Sequence, residues 1–370
     1  MRIPPFAMER WQSTYEHRVD FNLSESGVHP LTLGELIDLT GLDPSRIGLG
    51  YAQSDGSDEL KRRIAALYDG ARPENVVATT GGAEANYVAV WTLVSEGDRV
   101  VSLEPTYGQT PGLVEGLQAE IVRVPLEEDR GWQPAPGAVR DAVTAGTRLI
   151  MLTNPNNPTG AVLSEGARQE ILAAADAVGA WILADEVYTG AEVYRDETAS
   201  FFGTYERVIS TGSLSKAYGL PGLRLGWIVA PADLHERLWA RKDYTTITPG
   251  TLSDVAAERV LHPDVRARVL ERTRGIIRDN LTKVTRWLEG AGGLFRFRPP
   301  DAGAICFVHY DLDGNSSELA ERLRVEKSVL VVPGDHFGMD RYLRIGFGNP
   351  ASELERALGR ISELLGSRVD

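Results

Sequence analysis

The chain is poor in cysteine, in lysine and in long apolar runs, and each scarcity closes off a class of protein. Cys306 is the only cysteine in 370 residues, so no disulfide can form within the chain, which fits a reducing compartment. It lies in Gly-Ala-Ile-Cys-Phe-Val at 303–308, a run that reads as a buried strand, so it is core filler before it is a nucleophile. No apolar stretch approaches the ~18 residues needed to span a bilayer, and Met1-Arg-Ile-Pro-Pro-Phe6 lacks the apolar centre of a secretory signal. A cytoplasmic protein with no membrane contact is expected. The six histidines are scattered and include no His-x-x-x-His pair, so no metal site is expected. Lysine or arginine runs are also missing, and the formal net charge is -13. Both facts disfavour nucleic acid as a partner, because phosphate backbones demand basic patches.

What is there is ordinary globular material, 42% hydrophobic and 25% charged, in a chain long enough for two packed lobes. No repeat, low-complexity tract or flexible linker interrupts it. Residues 1–45 read as an N-terminal arm and part of a small domain, 46–250 as a large domain and 251–370 as a small C-terminal domain. Around residue 58 an amphipathic helix to Tyr68 is expected from the spacing of Leu60, Ile64 and Leu67. From about residue 75, short β-branched runs at 76–80, 99–103, 121–124, 148–153, 181–185 and 207–211 are separated mainly by helical patterns such as 84–94 and 164–177. Continuous apolar strands alternating with helices predict an α/β fold with a mostly parallel sheet covered by helices on both faces. Past residue 250 a long helical stretch at 252–289 precedes short strands at 295–298, 303–309, 329–334 and 342–347, with helices at 316–326 and 352–365. That pattern predicts a smaller α+β domain.

Ligands bind outside the carboxyl ends of the strands in such sheets. Five strands here run into unusual polar or glycine-rich residues: Gly81-Gly-Ala-Glu84, Glu104-Pro-Thr-Tyr107, Asn154-Pro-Asn-Asn-Pro-Thr-Gly160, Asp185-Glu-Val-Tyr188 and Ser213-Leu-Ser-Lys216. The last carries the most unusual residue. Of 39 basic residues only Lys61, Lys216, Lys242, Lys283 and Lys327 are lysines. An amine can lose its proton and condense with a carbonyl to a Schiff base, whereas a guanidinium stays charged. An exposed loop lysine is the plainer reading of Lys216 taken alone.

Taken together and in order, Asn-Pro-x-Asn-Pro-Thr-Gly, Asp-Glu-x-Tyr and Ser-x-Ser-Lys with an arginine eight residues on resemble the aminotransferase class I/II family, fold type I enzymes dependent on pyridoxal 5′-phosphate. The resemblance covers nearly the whole chain. It implies that Lys216 forms the Schiff base with the cofactor and later shuttles the α-proton, and that Asp185 sits beside the pyridine nitrogen and keeps it protonated. Asn157 and Tyr188 are similar to the pair that bonds the ring oxygen, and Tyr107 to the aromatic stacked on the ring. Aspartate aminotransferases generally carry tryptophan there, so their substrate preference does not transfer. Gly81, Gly82 and Ala83 at a helix start, with Ser213 and Arg224, would cradle the phosphate. Tyr51 resembles the tyrosine that reaches the phosphate of a partner subunit, implying a homodimer with shared sites. Arg344 of Leu-Arg-Ile-Gly-Phe matches the arginine that grips the substrate α-carboxylate.

The family default is transfer of an amino group from an amino acid to a 2-oxo acid. Ser26 to Glu35, Lys216 to Gly226 and Val331 to Gly334 also look like capreomycidine synthases, which eliminate at the β-carbon and cyclise. A lyase, cyclase or decarboxylating oxidase of specialised metabolism is therefore the alternative. A regulator carrying this fold would need an additional DNA-binding domain, for which too few residues precede the sheet. The segment 241–250 is a candidate for lining the site. Glu25 is a candidate contact for a cationic side chain, against the plainer reading of a solvated loop acid.

Overall fold

The computed structural model describes residues 3–366, so the outermost residues of the expected arm and small domain lie outside the described residues. The chain opens with helix α1 (Ala7–Tyr15), strand β1 (Phe21–Asn22) and helix α2 (Leu33–Thr40). None of the three was legible as an element. In α1 only Met8 and Gln12 are buried, too narrow a stripe to impose a helical period. Helix α2 does carry a signal, a capping box in which Thr32 and Glu35 bond each other's amides. Helix α3 (Asp58–Ala65) starts at Ser57, whose side chain accepts from the Leu60 amide, and ends short of the expected Tyr68.

Then the alternation sets in: β2 (Val76–Thr79), α4 (Gly82–Leu93), β3 (Arg99–Glu104), α5 (Gln109–Gly116), β4 (Glu120–Glu127), β5 (Gln133–Pro134) and α6 (Ala138–Ala142). It continues with β6 (Thr147–Thr153), α7 (Glu165–Val178), β7 (Trp181–Asp185), β8 (Val208–Ser213) and β9 (Gly226–Val229). These strands form one sheet in the order β2-β9-β8-β7-β6-β3-β4-β5. Pairings β8–β7, β7–β6, β6–β3 and β3–β4 are parallel, and β9 runs antiparallel between β8 and β2. Since β9 opposes both neighbours, β2 points the same way as β8. Strand β9 was not expected, because it comes after the glycine-rich loop without a polar break.

Successive residues of each central strand belong to different cores. Val100, Leu149, Leu183 and Ile209 pack with Val88 and Ala89 of α4, whereas Val101, Ile150, Ile182 and Val208 pack with Ile171 and Ala175 of α7. Both faces are therefore dry, which is why these strands read as continuous apolar runs rather than as alternation.

The remainder comprises α8 (His235–Lys242), α9 (Thr251–Val260), α10 (Pro263–Gly290), β10 (Phe295–Phe297), β11 (Ile305–Tyr310), α11 (Ser316–Lys327), β12 (Val329–Leu330), β13 (Val332–Pro333), β14 (Tyr342–Gly346) and α12 (Ala351–Leu365). Pro263 divides the stretch expected as helical over 252–289: proline suits a first helical turn and cannot donate inside one. Strands β10-β11-β14-β13 make an antiparallel sheet. The run expected as one strand at 329–334 is divided too, since β12 pairs in parallel with β1 and only β13 joins the antiparallel sheet. Cys306 is fully buried in β11, and burial pushes its thiol up to about 12.

Residues 21–29 are clamped against β14 and the loop beyond it. Gly346 donates its amide to the Leu23 carbonyl at 2.7 Å, and the His29 amide reaches Gly348 O at 2.7 Å. A Cβ at Gly346 would stand 2.0 Å from the Glu25 carbonyl oxygen. Gly346→Ala is therefore expected to displace this segment at a cost of about 1–3 kcal/mol, read as a lowered thermal midpoint of the cofactor-free protein. An unchanged midpoint would show that 21–29 is not held there.

Candidate active site

Five strands deliver their carboxyl ends to one edge of the large sheet, and register lines up their last residues. Thr153, Asp185 and Thr211 form one row across β6, β7 and β8, and Ser213, Gly226 and Thr79 another across β8, β9 and β2. A cleft of about 310 Å³ opens there, lined by the loops beyond these strands and by Glu9 and Glu25. The expected residues Gly82, Ala83, Tyr107, Asn157, Asp185, Tyr188, Ser213, Lys216 and Arg224 all line it.

One end suits an anion. Gly81, with φ of 83°, precedes α4, leaving the first amides of the helix unpaired by the helix itself. Side chains are excluded around it: a Cβ on Gly81 would lie 2.3 Å from Arg224 Nη2, and a Cβ on Gly226 would lie 2.4 Å from the Gly81 carbonyl carbon. Gly82 is next to the Ser213 side chain. The Arg224 guanidinium bonds Pro221 O at 3.0 Å and Ser215 Oγ at 3.4 Å. Among the described residues no carboxylate pairs with it. A partly open guanidinium beside free amides is a cradle for a phosphate. Glu84, set in this first turn, ties neighbouring chain together: its carboxylate accepts from Thr246 Oγ1 at 2.7 Å and from the Thr246 amide at 3.2 Å. Thr245 and Thr246 thus support the cradle from outside. The segment 241–250, a candidate for lining the cleft, is not among the lining residues.

Deeper in, Asp185 is buried. Its Oδ2 accepts from Asn86 Nδ2 at 2.8 Å and its Oδ1 from the Val187 amide at 3.3 Å, while Thr211 Oγ1 donates to Asn86 Oδ1 at 2.8 Å. Burial pushes its carboxyl up to about 6, against the pull of these donors and of Lys216. Such a carboxylate is underpartnered and can hold a cation. Its neighbour Glu186 faces the other way, closed off by the Phe201 amide at 2.8 Å and by Ser200 and Ser210. Asn86 was missed in the sequence, although a lone asparagine four residues into an apolar helix start was a signal.

Lys216 Nζ lies 2.6 Å from Glu25 Oε1. Glu25 also accepts from the Ser26 amide at 2.8 Å and the Gly27 amide at 3.3 Å. Burial works against both charges, yet the pairing wins: Glu25 is held down at about 2, and the lysine is raised. Glu25, although its side chain is 45% exposed, is paired with the lysine rather than standing free, and the segment 21–29 that carries it packs against the lysine loop. Tyr188 donates to Ser26 Oγ at 2.9 Å, and Tyr107 donates to Glu9 Oε1 at 2.8 Å with Phe6 edge-on at 5.0 Å.

Three expected residues stand apart from the lining: Gly81, just before the first turn of α4, Arg344 and Tyr51. Arg344 lies behind the wall, 1% exposed, bonding Asn157 Oδ1 at 2.9 Å, Gln12 Oε1 at 3.4 Å and the Ser24 carbonyl; among the described residues its Nε has no partner. Tyr51 is 93% exposed on the 48–56 loop and does not line its own chain's cleft. Glu9, Gln12 and Ser24 carry no motif of their own and were not foreseen, and Ser26 was read only as the start of a resembling stretch. Among the described residues no cluster of three or more His, Cys, Asp or Glu could hold a metal ion, and no helix is long and apolar enough to cross a membrane.

The family model described as Aminotransferase class I and II matches residues 43–361. The chain is similar to a capreomycidine synthase from Streptomyces vinaceus, 34% identical over 378 aligned residues that cover 99% of this chain and 95% of that one. A solved PLP-dependent aminotransferase from Streptococcus suis superposes with a TM-score of 0.93 at 33% identity, covering 100% of this chain and 99% of that one. The solved PLP-dependent cyclase OrfR gives a TM-score of 0.91 at 27% identity, covering 99% and 98%.

The electrostatics predict how this cleft retains pyridoxal phosphate. As pH falls through about 6 Asp185 takes up a proton and can no longer hold a cationic ring nitrogen, while Glu25, held near 2, does not titrate in that window. Affinity for the cofactor, tracked by its visible absorbance, should drop between pH 7 and 5. Asp185→Asn should bind roughly tenfold or more weakly and show a flatter pH dependence. A wild-type affinity that rises on acidification would contradict this.

Proposed function

The chain belongs to the aminotransferase class I and II family and is a pyridoxal phosphate-dependent enzyme of amino acids; from that premise we propose that it transfers the amino group of an amino acid to a 2-oxo acid. The observation that carries the proposal is the convergence on one cleft of Asp185, from the end of β7, with Lys216 and Arg224, from the loop joining β8 to β9.

When bound, pyridoxal phosphate supplies an electron sink for the bonds at the substrate α-carbon. The chain does the rest. Gly81, Gly82, Ala83, Ser213 and Arg224 would hold the phosphate, and Asp185, fixed by Asn86, would keep a proton on the ring nitrogen. Tyr107 would lie against the ring, and Asn157 and Tyr188 would bond its oxygen. Lys216 Nζ would hold the cofactor through its aldehyde and would serve as the base and then the acid for the α-proton; such transfers contribute ~10²–10⁴-fold. Arg344 takes the α-carboxylate, for which its unpartnered Nε and its bond to Asn157 suit it. Reaching it requires the wall made by Asn157 and α1 to shift.

A second reading, elimination and ring closure at the β-carbon or decarboxylating oxidation in specialised amino-acid metabolism, is supported by the likeness to capreomycidine synthase over nearly the whole chain. The two readings differ in what happens without a keto acid. Given an amino acid alone, a transaminase stops after one turnover with its cofactor in the amine form. Sustained product release with the cofactor unchanged would overturn transamination in favour of elimination. Lys216→Ala should lower either activity by at least ~10²-fold.

A cytoplasmic homodimer with shared sites is part of the same reading. Leu49, Tyr51, Tyr244, Ile247 and Leu252 are large apolar side chains left exposed, and the Thr251 hydroxyl bonds the Gly50 carbonyl, linking the two segments that carry them. Apolar exposure of this kind suits a subunit interface. The division into 1–45, 46–250 and 251–370 is retained on the ground that the large sheet falls within the second range and the antiparallel sheet within the third. Tyr51→Phe should weaken cofactor retention although Tyr51 lies outside its own cleft. A monomeric mass in sedimentation with full activity would refute the shared site.

A further inference from the structure

With the cofactor and the α-carboxylate assigned, two charged groups of the cleft are left over, and both are carboxylates. The ionic side chains lining it are Glu9, Glu25, Asp185, Lys216 and Arg224, with Arg344 behind Asn157. Arg224 belongs with the phosphate, Asp185 with the ring nitrogen, Lys216 with the aldehyde and Arg344 with the substrate carboxylate. Glu9 and Glu25 remain. Glu9 accepts from the Tyr107 hydroxyl at 2.8 Å, and among the described residues no cation pairs with it. Glu25 has Lys216 as its cation at 2.6 Å, but only while that nitrogen is a free ammonium. Linking Nζ to the cofactor removes at least two of its three N–H donors. Glu25 then keeps two backbone amides, with its side chain 45% exposed to the cleft.

This balance decides which kind of side chain can be received there. A carboxylate side chain would meet two like charges with no guanidinium left to answer it. An apolar one would take water from two carboxylates and give nothing back, which is costly for ionised groups. A cation satisfies both. We propose that Glu9 and Glu25 form the side-chain subsite of this cleft, and that the substrate is an amino acid bearing a guanidinium or ammonium on its side chain.

This inference rests on the reading of the cleft as an amino acid site and adds the substrate class. Helix α1 gives it a geometry. Glu9 shares the helix with Met8 and Gln12, both in contact with Arg344, so one element touches both the carboxylate grip and the side-chain acid. The position of Glu9 is thereby tied to that of Arg344. Glu25 is fixed independently, by its clamp against Gly346.

Three acids without an α-amino group, none able to condense with the cofactor, test the subsite apart from turnover: 5-guanidinopentanoate, hexanoate and adipate, titrated calorimetrically into the holoprotein. The guanidino acid should bind about tenfold or more tightly than hexanoate, with adipate weakest. That ratio should fall several-fold in Glu9→Gln and in Glu25→Gln, and close to one in the double variant. Equal binding of the guanidino acid and hexanoate, tightest binding of adipate, or a ratio that survives in the double variant overturns the proposal. If the variants fold poorly, the wild-type ranking alone decides. Borohydride trapping of the cofactor on Lys216, run on the same preparation, separates the two claims. A trapped lysine without cation preference sinks the subsite and leaves the enzyme reading intact; cation preference without a trapped lysine does the reverse.

Discussion

Register between parallel strands determines where chemistry can occur in this chain. Asp185 is the last residue of β7 and stands between Thr153 and Thr211, while Ser213, Gly226 and Thr79 align beside it. A slip of one residue would turn Asp185 into the apolar layer and move Asn86 out of reach, since side chains alternate faces along a strand. The dry packing on both faces prevents that slip. Stability of the sheet and accuracy of the site are therefore one property, and the close approach of Gly226 to Gly81, where no Cβ fits, pins the start of α4 to the same frame.

How much of this the sequence revealed depended on whether a residue's job was tied to a local pattern. Strands with both faces buried announce themselves as apolar runs, and the groups at their ends stand out because polar residues interrupt those runs. Asp185, Ser213 and Lys216 were legible for that reason. Glu9, Gln12 and Ser24 act through contacts that cross more than 90 residues of chain, and nothing in α1 or β1 distinguishes them from surface residues. The same limit applied to Glu25. Its type was noticed, but its grip on Lys216 depends on Gly346 of a strand at the far end of the chain. The division of the run 329–334 between two sheets was hidden likewise, because the partner of β12 is a two-residue strand in the arm.

The N-terminal 30 residues are consequently more than an appendage to the fold. They reach the cleft by pairing with β12, passing Gly346 and ending against the lysine loop, where a Cβ added at Gly27 would stand 3.7 Å from Lys216 Cα. Sheet edge, clamp and loop form a continuous path from the antiparallel sheet to the Lys216 amine. Arg344 stands on that path, bonded to Ser24 on one side and to Asn157 on the other. A substrate carboxylate that engages Arg344 must compete with both partners, so binding there disturbs the segment carrying Glu25 and the helix carrying Glu9 together.

The cleft also holds charge in a way that disfavours the empty protein. Asp185 has its carboxyl raised from 3.8 to about 6 by burial. A group whose folded pKa exceeds its unfolded value binds its proton more tightly when folded, so stability falls as pH rises from about 4 to 6 and the loss is complete above that. The shift corresponds to about 3 kcal/mol at neutral pH, a sizeable share of the stability of a typical domain. Glu186, raised to about 7 by burial, acts in the same direction. Glu186 ties the Ser200–Phe201 segment to the sheet through its hydrogen bonds, whereas Asp185 faces the cleft. For Asp185 the charge becomes favourable only when a cation sits beside it, and a ligand that supplies one stabilises the fold by mass action as well as enabling the reaction.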